Sequence, residues 1–123
     1  MSEMQNVKTA RRKLSLSDDF TAEILDALRD LRPAQVIAFG SRAVGKASEE
    51  SDLDLIVVLD KKGISKSYSE VLANRMLVQK RLRGVRSKMD VDVLVYTRDE
   101  WQRFLASRSS FAREIEETGL RIL

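Results

Sequence analysis

Asp52-Leu53-Asp54-Leu55-Ile56-Val57-Val58-Leu59 is the stretch on which the fold turns. Its apolar residues alternate as a strand requires, because successive side chains of a strand point to opposite faces. Leu53, Leu55, Val57 and Leu59 share one face. Asp52, Asp54, Ile56 and Val58 share the other, so two carboxylates open the strand on the same side.

Upstream, Val36-Ile37-Ala38-Phe39 is a short apolar run closed by Gly40, which reads as a buried strand. A loop of small and polar residues fills Gly40 to Ser51. Ahead of the first strand, Phe20, Ile24, Leu28 and Leu31 recur at helical spacing, Ser15 and Asp18 are spaced as its cap, and Pro33 stops it. Residues 1–14 read as a flexible basic lead-in to a single domain at 15–123.

Downstream, Lys61 to Lys66 is a turn. Ser67 and Glu70 have capping-box spacing, and Val71, Val78, Leu82 and Val85 fall on one stripe of the following helix, with Gly84 as its weak point. Val91 to Tyr96 is a third strand. Thr97 and Glu100 cap a helix carrying Trp101, Phe104 and Leu105. A last helix runs near Ser110 to Thr118, ends at Gly119, and leaves Leu120 to Leu123 for a short strand.

Composition narrows the chemistry. The 123 residues suit one domain, with 43% hydrophobic and 33% charged residues in an ordinary balance. No apolar run approaches the roughly 20 residues that span a bilayer. The polar start lacks a signal core, so a cytoplasmic setting without membrane attachment is expected. There is no Cys and no His, which removes thiolate sites and the commonest general base. Catalysis must run on carboxylates, hydroxyls, Lys, Arg and bound metal. The net charge of +3 is uneven. Arg75, Lys80, Arg81, Arg83, Arg86 and Lys88 form a stretch without an acid. Such a run is either a solvated helix face or a guide for an anionic partner.

The second and third strands are joined by a helix, so they should run parallel. The loop between the first and second strands permits an antiparallel pair. Asp52, Asp54, Asp92 and the Gly40-Ser41 turn then converge at one end of the sheet. Clustered carboxylates repel and raise each other's pKa, and a divalent cation offsets that cost. Magnesium suits such oxygens, and two ions can stabilise the attacking and leaving oxygens of a phosphoryl displacement. Gly40 lets the chain approach phosphate closely, Ser41 and nearby amides can donate to it, and Arg42 offers a matching fork of donors. Taken singly, Asp-x-Asp is a solvated strand start, Gly-Ser a turn, and Asp92 a charge on an edge strand. Asp90 shares parity with Asp92 and rivals it, although the unbroken apolar strand follows Asp92.

Phe39-Gly40-Ser41-Arg42-Ala43, with ten residues from Arg42 to Ser51 and then Asp52-Leu53-Asp54-Leu55, resembles the signature of the polymerase-beta-like nucleotidyltransferase superfamily. Val91-Asp92-Val93-Leu94-Val95 resembles its third-carboxylate strand. The resemblance covers about residues 20 to 123. It is nearest to small free-standing members, which end soon after a helix like Phe111-Ala112-Arg113-Glu114-Ile115. It implies an α/β (α+β) fold with a mixed sheet of three to four strands and helices packed mainly on one face. It further implies that Gly40 and Ser41 hold the triphosphate, with Arg42 assisting. Asp52, Asp54 and Asp92 would be the catalytic metal ligands, with Asp92 also assisting deprotonation of an acceptor hydroxyl. The implied cofactors are magnesium or manganese, with ATP as donor. Val44 stands where close relatives often have a second Arg.

Free-standing members resemble the antitoxin of toxin–antitoxin modules, which implies adenylylation of a cognate toxin protein. A non-catalytic binding module remains an alternative, as does transfer to RNA or a small molecule.

Overall fold

Both faces of the central strand are apolar, and the architecture follows from covering both. The computed structural model describes residues 8–9, 14–46, 48 and 50–123, the first pair by backbone alone. Three strands carry the sheet: β2 (Gln35–Phe39), β3 (Leu53–Leu59) and β4 (Val91–Thr97). Two strands of two residues each, β1 (Lys8–Thr9) and β5 (Leu120–Arg121), complete the order β1-β5-β2-β3-β4. β2 runs antiparallel to β3 and β5, β3 parallel to β4, and β1 parallel to β5. The sheet is mixed, as expected. It gains one more short strand, from a segment read as lead-in; residues 1–7 and 10–13 lie outside the described residues.

Helix α1 (Asp18–Leu28) begins at Ser17, whose hydroxyl accepts from the Phe20 amide at 3.1 Å. Ser17 caps the helix in place of the expected Ser15, because Ser15 is tied elsewhere: its amide donates to the Arg42 carbonyl at 2.9 Å. Helix α3 (Tyr68–Arg81) starts at Ser67, and the chain breaks at Leu82 before a single turn, α4 (Arg83–Arg86). The break falls two residues ahead of Gly84. Val78, Leu82 and Val85 are buried as expected, but Val71 is 46% exposed. Burial on that stripe starts one turn later, at Asn74, whose side-chain oxygen accepts from Lys61 Nζ at 2.8 Å.

One face of the sheet is Val36, Ala38, Leu53, Leu55, Val57, Val91 and Val93, covered by Ile24 and Leu28 of α1 and by Val78, Leu82 and Val85. The other face carries Ile37, Ile56 and Val58. It is covered by Trp101 and Leu105 of α5 (Arg98–Ala106) and Ile115 of α6 (Ser110–Thr118). Helices therefore lie on both faces, a broader cover than the expected one-sided packing. The connection from β4, at one edge, to β5, beyond β2, must cross the sheet, and α5 and α6 make that crossing. Each fully buried Leu or Ile contributes about 1.5–3 kcal/mol. Among the described residues no helix is long and apolar enough to cross a membrane.

Candidate active site

Strand register builds the site. Phe39 is paired with Asp54 across the antiparallel β2–β3 ladder, and Asp54 with Asp92 across the parallel β3–β4 ladder. The three residues form one row, on the face opposite Leu53, Leu55 and Val93. Asp92 therefore lies on the same face as Asp54. Asp52 is exposed just ahead of β3, where the Leu53 amide donates to the Asp90 carbonyl at 2.9 Å.

Electrostatics relate the same three acids. Burial lifts the Asp54 carboxyl above its ordinary pKa, and the charges of Asp92 and then Asp52 lift it further. Two neighbouring acids thus act on Asp54, and Asp90, the rival third acid, is not one of them. The three carboxylates do not converge on one point: among the described residues no group of three or more acids is placed to hold a metal ion. Hard carboxylate oxygens grouped around the raised Asp54 fit a divalent cation chemically.

Gly40 closes the row from the other side. It caps the one-turn helix α2 (Ser41–Val44) with φ 79° and ψ −158°, a conformation open to glycine. A Cβ at this position would overlap Oδ2 of Asp54. The turn is held by Ala43 N to Gly40 O at 3.0 Å and Lys46 N to Ser41 O at 3.0 Å. The first amides of α2 have no intrahelical acceptor, as at any helix start, and Ser41 is half-buried beside them.

Arg42 has a different setting from the one expected. It is 6% exposed, and its guanidinium donates to backbone carbonyls: Nε to Ser51 at 3.1 Å, Nη1 to Ser15 at 2.7 Å and Nη2 to Ser48 at 3.4 Å. The fork that could grip phosphate is committed to the loop leading into Asp52. Arg42 is a positioning residue in this arrangement.

The aromatic wall was not anticipated as part of the site. Phe39 meets Phe111 edge-on at 5.6 Å, and Phe111 meets Phe104 at 5.5 Å. The sequence signal was the strand-end aromatic before Gly40, but its partner lies on the last helix, 72 positions on. The basic stretch divides into two groups. Arg81 pairs with Asp30 at 2.9 Å and Lys88 with Glu23 at 3.0 Å, whereas Arg75, Lys80, Arg83 and Arg86 have no carboxylate partner among the described residues.

Residues 22–100 match the family model described as polymerase beta, nucleotidyltransferase. The chain belongs to that family. Among solved structures, the chain is similar to one described as a toxin–antitoxin crystal structure with AMP-PNP, at 22% identity over 84% of this chain and 72% of that one, with a TM-score of 0.54. It is also similar to a Sulfolobus solfataricus protein provisionally described as a nucleotidyltransferase, at 26% identity over 69% of this chain and 77% of that one, with a TM-score of 0.45. No curated protein matches the chain.

Proposed function

We propose that this family member is a metal-dependent nucleotidyltransferase that moves AMP from ATP to a hydroxyl of a partner protein, acting as the antitoxin that adenylylates its toxin. One observation carries the transferase reading. The row of Asp54 and Asp92, with Gly40 pressed against Asp54, gathers the acids of two parallel strands beside a glycine turn.

Asp52, Asp54 and Asp92 would hold magnesium or manganese. When bound, such ions supply Lewis-acid stabilisation of charge on phosphate oxygens. Gly40 lets the backbone approach a triphosphate, and the Ser41 hydroxyl and adjacent amides donate to its oxygens. Arg42 keeps the loop from Ser48 to Ser51 in register so that Asp52 stands at the start of β3. The acceptor oxygen bonds to the α-phosphorus as the bond to pyrophosphate breaks. Pyrophosphate leaves, and the hydroxyl proton passes to Asp92. Positioning and charge supply nearly all of the catalysis in such a transfer.

Adenine as the base and a protein as the acceptor take their direction from the fold neighbour described as a toxin–antitoxin with AMP-PNP. The test is incubation of the purified chain with α-labelled ATP, with and without the product of the adjacent gene, in magnesium, manganese or chelator. Mass spectrometry of both proteins should show an added AMP only with metal and only on the partner. Equal nucleotide turnover with and without chelator, and in Asp54→Asn, overturns the transferase reading. Label on RNA alone overturns the protein acceptor.

A further inference from the structure

A cavity of about 310 Å³ opens at Asp92, bounded by Phe39 and Phe111 on one side and by Arg75, Gln79 and Arg86 on the other. It wraps the free edge of β4, the last strand of the sheet. The Gly40-Ser41 turn does not line it. The cavity lies on the Asp92 side of the row, and a ligand bound there would meet Arg75 and Arg86 and not that turn.

Arg75 and Arg86 are exposed and, among the described residues, have no carboxylate partner. Their neighbours Arg81 and Lys88 do. The cavity shares Gln79 and Arg86 with a second hollow of about 440 Å³, lined also by Met76, Lys80 and Arg83. Cationic side chains thus run continuously from Asp92 outward along α3 and α4. The track is not purely ionic. Met76 is 49% exposed and Leu72 and Tyr68 continue along the same helix face. Nucleic-acid interfaces are more polar than protein–protein ones, whereas the exposed Tyr68, Leu72 and Met76 make this surface partly apolar. A mixed apolar and cationic surface matches a polypeptide bearing both acidic and apolar side chains.

We infer that this cavity and its track form the acceptor subsite, and that they select a hydroxyl flanked by Asp or Glu in a polypeptide segment. This rests on the transferase reading for the role of Asp92. Arg75 and Arg86 are specificity-determining residues: they hold the flanking acids so that the hydroxyl stands at Asp92. Complementary charge of this kind speeds encounter and fixes register.

The test uses the full chain without nucleotide, so that it reads binding and not transfer. Fluorescence anisotropy compares three labelled probes at low salt: a 12-residue peptide with a central hydroxyl residue and Glu flanks, its Gln-flanked counterpart, and a 12-nucleotide RNA. The Glu peptide should bind about tenfold or more tighter than either. Arg75→Ala with Arg86→Ala should bring it to the Gln level, while Arg81→Ala, a control from the paired group, should leave it unchanged. Equal binding of the two peptides, tighter binding of RNA, or an unaffected double variant overturns the inference. A parallel transfer assay with ATP and manganese separates the two readings. Selective binding without transfer supports the subsite and counts against the transferase; transfer without selectivity does the reverse.

Discussion

Gly40 and Asp54 occupy one space: the side chain of Asp54 lies where a Cβ of residue 40 would project. The glycine is required twice over, by its backbone angles (φ 79°) and by the carboxylate beside it. Gly40→Ala should therefore cost about 1–3 kcal/mol of stability from backbone strain. It should also displace Asp54 and abolish nucleotide transfer. Urea denaturation together with the transfer assay reads both effects; an alanine variant of full stability and activity contradicts the packing.

Asp54 carries a raised pKa, so its ionised form is disfavoured in the folded chain. For an acid raised on folding, metal-free stability falls as pH climbs from the ordinary carboxylate value through the raised one. A divalent cation should reverse that loss. Asp54→Asn should raise the metal-free Tm slightly at neutral pH, remove the Tm gain produced by manganese, and reduce transfer at least about 100-fold. Thermal scans at several pH values, with manganese and with chelator, check all three effects.

Arg42 bonds two separate stretches of backbone from a buried position, at Ser15 and at the loop from Ser48 to Ser51. Arg42→Ala should lower stability by about 1–3 kcal/mol, since the partly buried carbonyls of Ser15 and Ser51 lose a charged donor. Arg42→Lys should recover little, because one ammonium cannot replace a planar fork. If Arg42 instead gripped phosphate, its loss would weaken nucleotide affinity and leave denaturation unchanged. Paired denaturation and nucleotide-binding curves decide between these outcomes.

Glu100 joins α5 to the preceding loop. It accepts from the Thr97 amide at 2.9 Å and the Ser65 amide at 2.7 Å. Burial alone would raise its pKa, but these hydrogen bonds outweigh that and hold it below the ordinary value. A depressed acid stabilises the fold above its unfolded pKa and loses that contribution as pH falls through the folded pKa. Glu100→Gln should cost about 1 kcal/mol near neutral pH. The gap from the native chain should close as pH drops below the ordinary glutamate range, which denaturation at stepped pH reads directly.

The three main strands and the parallel and antiparallel pairings were legible because period-2 apolar runs, a bounding glycine and a connecting helix leave few alternatives. The Thr97–Glu100 capping box formed as its spacing foretold. That Asp54 and Asp92 lie at one end of the sheet followed from their places at the starts of two parallel strands, whereas their shared face needed the register that pairs them. Other features depend on tertiary partners. Arg42 reads as a phosphate ligand until the loop carbonyls that surround it are known. Val71 sits on the right helical stripe yet stays exposed, because periodicity specifies a direction and not what lies there. Which cations of the 75–88 stretch are neutralised depends on Glu23 on α1 and Asp30 in the turn just after it, both more than fifty positions away.

The parallel pairing of β3 with β4 also sets an order of events during synthesis. β2 and β3 can close on each other as soon as both leave the ribosome, bringing Gly40 and Asp54 together early. Asp92 joins them only after α3 and α4 have been made and folded back, since distant pairings wait on the intervening chain. A growing polypeptide that ends before residue 91 holds at most two of the three acids, so on the proposed reading the metal site would be completed late and abruptly as the chain lengthens.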